Sequence, residues 1–433
     1  MSQKCPRRKF LKTTAALSAG VWLVGGSRRG ARAELPNDKL NIAVIGPGGR
    51  GSANLNGVAS QNIVAICDVD DRRAGKAYQR FPKAKKYRDF RKMLDKMESG
   101  IDAVVISTPD HTHFHPAYLA MQSGKHVYLE KPLAHSVWET RELTKLAAEK
   151  KVATQLGVQR HALPGLRRAV ELVQSGAIGT VKECYSWINS TRGMPPVPTA
   201  TPPVPAHLDW DLWLGPADDR PYSPEYVPYK WRFWWDFGTG ETGNWGCHIL
   251  DIPFWALGLK YPTKVDVEGA DNPNPERTPK SMTTRFEFPA NDKRPPVVLH
   301  WIQGVPPILD ELGLGKKEKG MNNLFIGTEG MLLCGFGSHR LLPEKKYEDF
   351  KEPAPFLPKP PNFYKEWIDA CRGGAPASCN FDYSGPMSET VLLANAAFRA
   401  KGGFTWDHAS LRPVGNPAAE PYLRSTFRKG WEI

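Results

Sequence analysis

The sequence lacks the features that mark several protein classes. Its seven cysteines include no Cys-x-x-Cys pair, and their spacing over 433 residues does not suggest a disulfide framework, although one bridge between Cys371 and Cys379 is left open. No apolar run is long enough to span a bilayer. Neither an internal repeat nor a coiled-coil pattern is present. A disulfide scaffold, a membrane-spanning protein and a repeat protein are therefore not expected.

Basic charge is also scarcer than the formal net charge of +13 suggests. Residues 1–33 carry eight Lys or Arg and no acidic residue, and the rest of the chain has 50 basic against 45 acidic residues, a net charge of +5. The remaining basic residues form no clear stripe, so a nucleic-acid partner is not expected.

The N-terminal segment has the composition of an export signal. Arg7-Arg8-Lys9-Phe10-Leu11-Lys12 resembles a twin-arginine signal, an apolar run follows it, and Ala31-Arg32-Ala33 resembles a cleavage site. The alternative is a basic, disordered tail. We predict that residues 1–33 are a twin-arginine signal peptide that directs the protein to the periplasm, with no membrane span left after its removal.

A glycine-rich turn follows the first apolar segment. Residues 39–45 predict a buried parallel strand, and Gly46, Gly48 and Gly51 match the G-x-G-x-x-G pattern directly after it. Glycines of this spacing allow a tight turn, close approach of the backbone to a pyrophosphate, and packing of the next helix on the strand. The pattern predicts a dinucleotide site, and a glycine turn that binds no nucleotide is the alternative.

An acidic residue stands where a ribose partner is expected. Asp68 ends a second apolar segment at residues 62–67 and lies 22 residues after Gly46. A carboxylate there accepts hydrogen bonds from ribose hydroxyls and repels a 2′-phosphate, which favours NAD over NADP. Asp70 and Asp71 add to that repulsion, whereas Arg72 and Arg73 oppose it.

Strands and helices then alternate up to about residue 157. Strands are predicted at residues 103–106, 126–129 and 153–156, and a helix at 136–150 with a Ser136–Glu139 capping box. This pattern predicts an α/β fold with a doubly wound parallel sheet. Two polar segments follow strand ends, where such sheets bind their ligands, and they contain these candidate cofactor-binding residues: Thr108, Pro109, His111, Glu130 and Lys131.

These motifs together resemble the glucose–fructose oxidoreductase, inositol dehydrogenase and rhizopine-catabolism (Gfo/Idh/MocA) family. The resemblance runs from about residue 39 to the C-terminus, and its most specific part is Glu130-Lys131-Pro132. It implies a Rossmann domain at 39–157, an α+β domain at 158–433 with a large open, mostly antiparallel sheet, NAD(P), and a sugar or cyclitol substrate. It also implies a homo-oligomer, dimer or tetramer. Gly49, Arg50 and Gln159 complete the predicted cofactor site.

The resemblance also implies two catalytic residues. Lys131 would lie near the nicotinamide and the reacting hydroxyl, and His248 would be the histidine of an Asp-x-x-x-His pair. The position four residues before His248 is Asn244, which cannot take a proton, so proton transfer would depend on His248 or Lys131. Structural roles are the alternatives: Lys131 as an ionic partner, and His248 as a core histidine. The glycine-rich run 238–243 suggests a tight loop near a ligand, and Asp251 is a candidate for orienting His248.

An aromatic run provides candidates for substrate binding. Flat rings can stack on the apolar faces of sugars, and neighbouring polar groups can bind hydroxyls. An aromatic core or a subunit contact is the alternative. The predicted substrate-binding residues are Trp231, Arg232, Trp234, Trp235, Asn244 and His248, with Asp236 as a further hydroxyl partner.

No metal site is predicted. His111, His113 and His115 alternate in a short stretch, but alternate strand positions and a helix start give poor tetrahedral geometry. No cysteine or acidic ligand favours a metal there, so a loop that lines the cofactor is the preferred interpretation.

The predicted function is hydride transfer between NAD and a secondary hydroxyl of a sugar, glycoside or cyclitol. Export would require tightly bound NAD that is recycled internally, because no soluble pool regenerates it outside the cytoplasm. Two alternatives remain. One is a redox-neutral glycoside hydrolase that oxidises C3 transiently and eliminates the leaving group, and the other is a sugar-binding protein without catalytic activity.

Overall fold

A computed structural model describes residues 39–270, 272–315, 320–359 and 362–433. The predicted export signal lies outside these residues and stays a prediction. Residues Leu40–Ile433 form one compact unit. Among the described helices, none is both long enough and apolar enough to cross a bilayer.

The first part of the chain forms a six-stranded parallel sheet. Its spatial order is β3-β2-β1-β4-β5-β6, with the first strand in the middle. The inner strands are rich in Val, Ile and Ala and are buried on both faces, as parallel strands covered by helices must be. The strands are β1 Asn41–Ile45, β2 Asn62–Cys67, β3 Lys85–Tyr87, β4 Ala103–Ile106, β5 His126–Leu129 and β6 Thr154–Leu156.

Five helices connect these strands. The chain builds the sheet outward from β1 in one direction to β3 and then in the other direction from β4, which pairs with β1. A crevice therefore opens beyond the carboxyl ends of β1 and β4. The helices are α1 Arg50–Gly57, α2 Asp71–Arg80, α3 Phe90–Lys96, α4 Phe114–Gln122 and α5 Val137–Lys150.

The rest of the chain contains a nine-stranded sheet. Its order is β13-β12-β11-β7-β10-β9-β8-β14-β15, and every neighbouring pair is antiparallel except β7 with β10. The predicted α/β Rossmann sheet and mostly antiparallel second sheet are therefore confirmed. The strands are β7 Val181–Ile188, β8 Lys264–Glu268, β9 Met282–Phe288, β10 Val297–Gln303, β11 Met321–Gly327, β12 Met331–Gly335, β13 His339–Leu342, β14 Phe404–Asp407 and β15 Arg412–Val414.

Two long, largely apolar helices connect the two sheets. The helix over residues 381–399 packs on α5 and on the helix over residues 240–257, which also contacts β7. The helices of this part are α6 Pro164–Gln174, α7 Trp210–Leu214, α8 Gly240–Leu257, α9 Ile308–Glu311, α10 Phe363–Cys371 and α11 Phe381–Arg399.

The glycine-rich run 238–243 was wrongly expected to be a loop. Residues from Gly240 onward form the first turn of α8. Glycine is needed there for packing, because a Cβ on Gly243 would lie 1.6 Å from Thr239 Oγ1. The bridge left open between Cys371 and Cys379 is absent, since both are free thiols.

The predicted capping box at the start of α5 is present. The Ser136 hydroxyl accepts from the Glu139 backbone N–H at 3.3 Å, and the Glu139 carboxylate accepts from the Ser136 N–H at 2.9 Å. Ser136 is buried, so water cannot replace this bond.

Ser136→Ala is expected to lower the free energy of unfolding by about 1 kcal/mol, because the first turn of α5 loses its cap. Urea denaturation measures the change. Ser123→Ala is the matched control, since Ser123 is an exposed residue at the end of α4. Equal stability of the two variants would contradict the prediction.

Candidate active site

A cavity of about 770 Å³ lies beyond the carboxyl ends of the parallel strands. The turns after β1, β2, β4 and β5 form one wall, and α8 with the aromatic run forms the other. Most predicted site residues line it: Gly46, Gly48, Gly49, Arg50, Asp68, Thr108, Pro109, Glu130, Lys131, Gln159, Trp231, Arg232, Asn244 and His248. The structure thus brings together three groups that were predicted separately, for cofactor, catalysis and substrate.

The glycine turn after β1 is tightly constrained. Gly46 has a φ of 74°, and its N–H donates to Cys67 O at 2.9 Å. A Cβ on Gly51 would lie 1.8 Å from Gly46 O, so no side chain fits between turn and helix. A Cβ on Gly48 or Gly49 would meet only the Arg73 side chain. The backbone at Gly48 and Gly49 is therefore open to the cavity at the N-terminus of α1, where helix N–H groups favour an anion.

Asp68 lies at the end of β2 and faces the same cavity. Its Oδ1 accepts from the Asp70 N–H at 3.0 Å. Burial raises the pKa of Asp68 to about 7, against the opposing effects of that hydrogen bond and of Arg73. The carboxylate is thus poorly solvated and gains from any hydroxyl that donates to it.

Glu130 is the centre of a hydrogen-bond network below the glycine turn. Its Oε1 accepts from Asn54 Nδ2 at 3.0 Å and from Gln159 Nε2 at 2.8 Å, with Arg50 Nε at 3.4 Å. A Cβ on Gly157 would lie 2.5 Å from this oxygen, so the carboxylate needs a glycine beside it. Glu130 therefore fixes α1 and the turn after β6 relative to the cavity.

Lys131 extends its amine toward α8. Its Nζ donates to Asn244 Oδ1 at 2.8 Å, and the Lys131–Pro132 peptide bond is cis. Burial lowers the pKa of Lys131, and Arg232 lowers it further, whereas Glu130 raises it. A neutral amine that can accept a proton is therefore easier to reach than in water.

His248 lies one turn after Asn244 on the same face of α8. Its Nδ1 is buried and has no hydrogen-bond partner among the described residues. Burial, followed by the nearby charges of Lys131, Arg160 and Arg50, lowers the pKa of His248 well below its usual value. The ring is neutral near pH 7, and the His248 side chain lines the cavity although its unpartnered Nδ1 is enclosed by the protein.

Asp251 does not orient His248 as predicted. Its carboxylate instead accepts from His161 Nδ1 at 2.9 Å and from the Tyr383 hydroxyl at 2.6 Å. Three residues along a helix is a neighbouring position, but Asp251 points away from the cavity into the core. Among the described residues, one group could hold a metal ion by its geometry, and it consists of His161, Asp251 and Cys379. The Asp251 carboxylate of this group already accepts hydrogen bonds from His161 and Tyr383.

His111, a predicted cofactor-binding residue, does not line the cavity. It is buried, and its two ring nitrogens contact the backbone oxygens of Phe237 at 3.3 Å and Trp213 at 3.0 Å. Both contacts come from segments more than 100 residues away in the sequence. His111 therefore joins two parts of the chain behind the wall of the cavity.

The aromatic run divides between the cavity and the core. Trp231 and Arg232 line the cavity, as predicted. Trp234 and Trp235 do not line it, and their indole N–H groups donate to the backbone oxygens of Glu225 and Asn274. Asp236 also lies outside the cavity, where it pairs with Arg220 at 2.7 Å.

Several residues that line the cavity were missed from the sequence. Arg88 lies on the Asp68 side, and Asp110, Arg160 and Tyr229 lie on the Lys131 side. Arg160 could have been found from the sequence, because it directly follows Gln159, a predicted site residue. Arg88 and Tyr229 had none, because they reach the cavity from a strand end and a loop without a recognisable motif.

Comparison with protein-family models identifies both parts of the chain. Residues 40–158 match the oxidoreductase family model described as an NAD-binding Rossmann fold. Residues 171–433, more than half of the chain, match the model described as the oxidoreductase family's C-terminal alpha/beta domain. The chain belongs to the Gfo/Idh/MocA oxidoreductase family. The predicted NAD cofactor is confirmed at the level of this family, whose model describes an NAD-binding fold.

Curated members of the family share partial similarity with the chain. A levoglucosan dehydrogenase of Pseudarthrobacter phenanthrenivorans is 26% identical over 51% of each protein. A glycosyl hydrolase family 109 protein of Solibacter usitatus is 34% identical over 37% of this chain and 38% of its own length. An inositol 2-dehydrogenase of Rubrobacter xylanophilus is 30% identical over 35% and 44%. The chain thus spans about half, or less, of the length of these relatives.

Solved structures of the family share the fold. The WlbA dehydrogenase from Bordetella pertussis, in complex with NADH and UDP-GlcNAcA, has a TM-score of 0.59 and 18% identity over 83% of this chain and 96% of its own. A levoglucosan dehydrogenase in its apo form has a TM-score of 0.57 and 18% identity over 84% and 98%. At this identity the similarity establishes the architecture alone.

Proposed function

We propose that the protein is an NAD-dependent oxidoreductase that transfers a hydride to or from a secondary hydroxyl carbon of a sugar, glycoside or cyclitol. The main support is the convergence of Lys131 and His248 on the cavity that the glycine turn and Asp68 also line. The dehydrogenase relatives act on levoglucosan and inositol, which supports the substrate class.

The residues of the cavity fit a dinucleotide. The open backbone at Gly48 and Gly49 would hold the pyrophosphate, and Asp68 would accept from ribose hydroxyls. His248 lines the cavity on the Lys131 side, where its neutral ring would hydrogen-bond a ligand. When bound, NAD would accept or supply the hydride.

Proton transfer is assigned to Lys131. Its lowered pKa favours an amine that takes the proton of the substrate hydroxyl during oxidation, and the ammonium would return it during reduction. Neutral His248 would hydrogen-bond a substrate hydroxyl and help to orient it. Asn244 has no proton-accepting form, so it would hold Lys131 rather than act as the base.

Arg232 and its aromatic neighbours would bind the substrate. The Arg232 guanidinium lies 4.2 Å from the ring centre of Trp231 and 4.3 Å from that of Tyr229. Stacking in this way fixes the plane of the guanidinium and leaves its N–H groups to donate to hydroxyls at the cavity. A polyol is therefore a better match than an apolar substrate.

The cofactor itself is proposed to be tightly held and recycled, as an exported enzyme would need. Mass spectrometry of small molecules released from the native protein tests this, with about one NAD per chain expected. Addition of a panel of sugars and cyclitols should then change the absorbance of the reduced nicotinamide. A protein that carries no cofactor and binds none would overturn the proposal and favour a sugar-binding protein.

A redox-neutral glycoside hydrolase is the second candidate. Asn244 at the place of the expected aspartate and the similarity to a glycosyl hydrolase family 109 protein favour it. Transient oxidation of a ring carbon would acidify the neighbouring C–H and permit elimination of the leaving group, and addition of water with return of the hydride would then complete a hydrolysis without net redox change. Release of nitrophenol from nitrophenyl glycosides without net formation of reduced nicotinamide would select this reaction.

NAD binding is expected to weaken below pH 7. Ribose hydroxyls donate to the Asp68 carboxylate, so NAD binds the ionised form better, and the pKa of about 7 in the free protein places the loss below that pH. Affinity should fall by up to about tenfold for each pH unit below 7.

Calorimetric titration with NAD at several pH values measures this effect, and Asp68→Asn provides the control. The variant should bind NAD more weakly and with little dependence on pH, and it should discriminate less against NADP. The same pH dependence in both proteins would remove Asp68 from the explanation.

A further inference from the structure

Asn244 leaves the site without a carboxylate at the position where the family resemblance implies one. A different carboxylate lies one helical turn earlier. Glu241 is in the first turn of α8, on the face that also carries Asn244 and His248. Its side chain is 0% exposed, which is unusual for an acidic residue and requires partners.

Two hydrogen bonds connect this carboxylate to the catalytic amine. Lys131 Nζ donates to Asn244 Oδ1 at 2.8 Å, and Asn244 Nδ2 donates to Glu241 Oε2 at 3.1 Å. An ammonium group only donates and a carboxylate only accepts, so the two neighbours permit a single orientation of the Asn244 amide. The amide oxygen faces Lys131 because Glu241 holds the amide nitrogen.

Glu241 is itself fixed from the opposite side. Ser190 Oγ donates to Oε1 at 2.6 Å, Arg192 Nε donates to the same oxygen, and Arg192 Nη2 donates to Oε2 at 3.0 Å. Both partners belong to the segment after β7, and Arg192 also bonds the hydroxyl of Tyr229 at the cavity. The carboxylate thus connects this segment to Lys131.

We infer that Glu241 is a positioning residue for the reaction of Lys131, and that it acts by holding the Asn244 amide with its oxygen toward the amine. This inference rests on the proposed function of Lys131. The arrangement gives the amine a neutral acceptor and keeps the negative charge of Glu241 two hydrogen bonds away from the amine, beside Arg192.

The separation between the Glu241 carboxylate and the Lys131 amine affects how easily the amine loses its proton. A carboxylate in direct contact would stabilise the ammonium and leave little free amine near neutral pH, whereas an amide oxygen stabilises it less. The charged and titratable groups that surround the amine come from β5, the turn after β4, the aromatic run and α8: Glu130, Asp110, Arg232, Cys247 and His248. Substitutions at positions 241 and 244 leave all of these neighbouring groups unchanged.

Trace acetylation measures the state of Lys131 directly, without substrate or turnover. Acetic anhydride reacts with the free amine, so the pH dependence of labelling, followed by mass spectrometry of the Lys131 peptide, gives a midpoint for this residue in the native full chain. Asn244→Asp should raise the midpoint by about one pH unit or more, because a carboxylate replaces the amide.

Glu241→Gln is the decisive variant. It should lower the midpoint by about half a pH unit or more, since Arg192 loses its counter-charge and the Asn244 amide loses the carboxylate that fixed it. Glu389→Gln is the matched control: Glu389 is 1% exposed and pairs with Arg141 at 2.7 Å, away from the cavity. The control should leave the Lys131 midpoint unchanged.

An unchanged midpoint in folded Glu241→Gln would reduce Glu241 to a structural role and overturn the inference. If that variant fails to fold, an Arg192→Met/Glu241→Met double variant removes both charges while preserving apolar volume. The midpoint should still shift, because the amide is no longer held, and a wild-type midpoint there would equally overturn the inference. If the midpoints shift as expected but no sugar is turned over, the proposed function fails and the positioning of Lys131 stands.

Discussion

Lys131→Ala is expected to lower sugar-dependent hydride transfer by about 10²- to 10⁴-fold, the usual contribution of a positioned general acid or base. The amine is the group at the cavity that donates to Asn244 and has a lowered pKa, and alanine supplies no replacement. The dinucleotide side of the cavity is untouched, so NAD should remain bound. Turnover on an active sugar and the NAD content of the purified variant are the two measurements.

Lys125→Ala is a suitable control for this variant. Lys125 is a half-buried lysine just before β5, and its Nζ donates to Glu98 O. Removing it takes away the same charge without touching the cavity, so turnover should stay close to that of the wild type. Full activity of Lys131→Ala would remove Lys131 from the catalytic role, whereas loss of NAD would make it a cofactor-binding residue instead.

Two glycine substitutions in the same turn are expected to separate folding from cofactor binding. In Gly51→Ala the new Cβ would lie 1.8 Å from Gly46 O, and only a shift of the backbone can relieve that contact. The variant should lose about 1–3 kcal/mol of unfolding free energy, as overpacked sites do, and NAD binding with it.

Gly48→Ala is expected to behave differently. Its Cβ would lie 3.0 Å from Arg73 Nε, which can move away, and 3.1 Å from Arg73 Cβ, which requires only a small shift at the start of α2. Stability should therefore fall by about 1 kcal/mol or less, below the loss in Gly51→Ala, while NAD affinity falls by about 10- to 100-fold because the methyl group occupies the approach to the pyrophosphate.

Urea denaturation and calorimetric titration with NAD distinguish the two variants. The informative result is a stable Gly48→Ala protein that binds NAD poorly. If Gly48→Ala bound NAD as tightly as the wild type, the open backbone at Gly48 would not be the pyrophosphate site, and the assignment of the cavity to a dinucleotide would lose its main geometric support.

The two halves of the chain differ in how far the sequence predicted them. In the parallel sheet the β-branched runs, the turns and the capping box at Ser136 predicted β1, β2, β4, β5 and α5 closely, because each signal is local. In the second part no local pattern predicted the short outer strands β12 to β15. Strands of three to five residues contain too few side chains to show a period, and β12 to β15 lack the strand–helix alternation that identified the equally short β4 and β5.

The location of the site could be predicted from the sequence for a physical reason. Carboxyl ends of parallel strands share one edge of the sheet, so residues after β1, β2, β4 and β5 meet whatever their separation along the chain. That rule placed Gly46, Asp68 and Lys131 in one cavity without any coordinates. Neither the export of the protein nor its oligomeric state has such a rule, and both stay predictions.

The tertiary structure alone decided which neighbouring side chains face the cavity and which partners they take. Trp231 lines the cavity whereas Trp234 does not, His111 contacts backbone oxygens, and Glu241 fixes the amide of Asn244. Local periodicity shows which residues share a face, but Lys131 and Asn244 are 113 residues apart, and only the folded chain determines which distant segment covers that face.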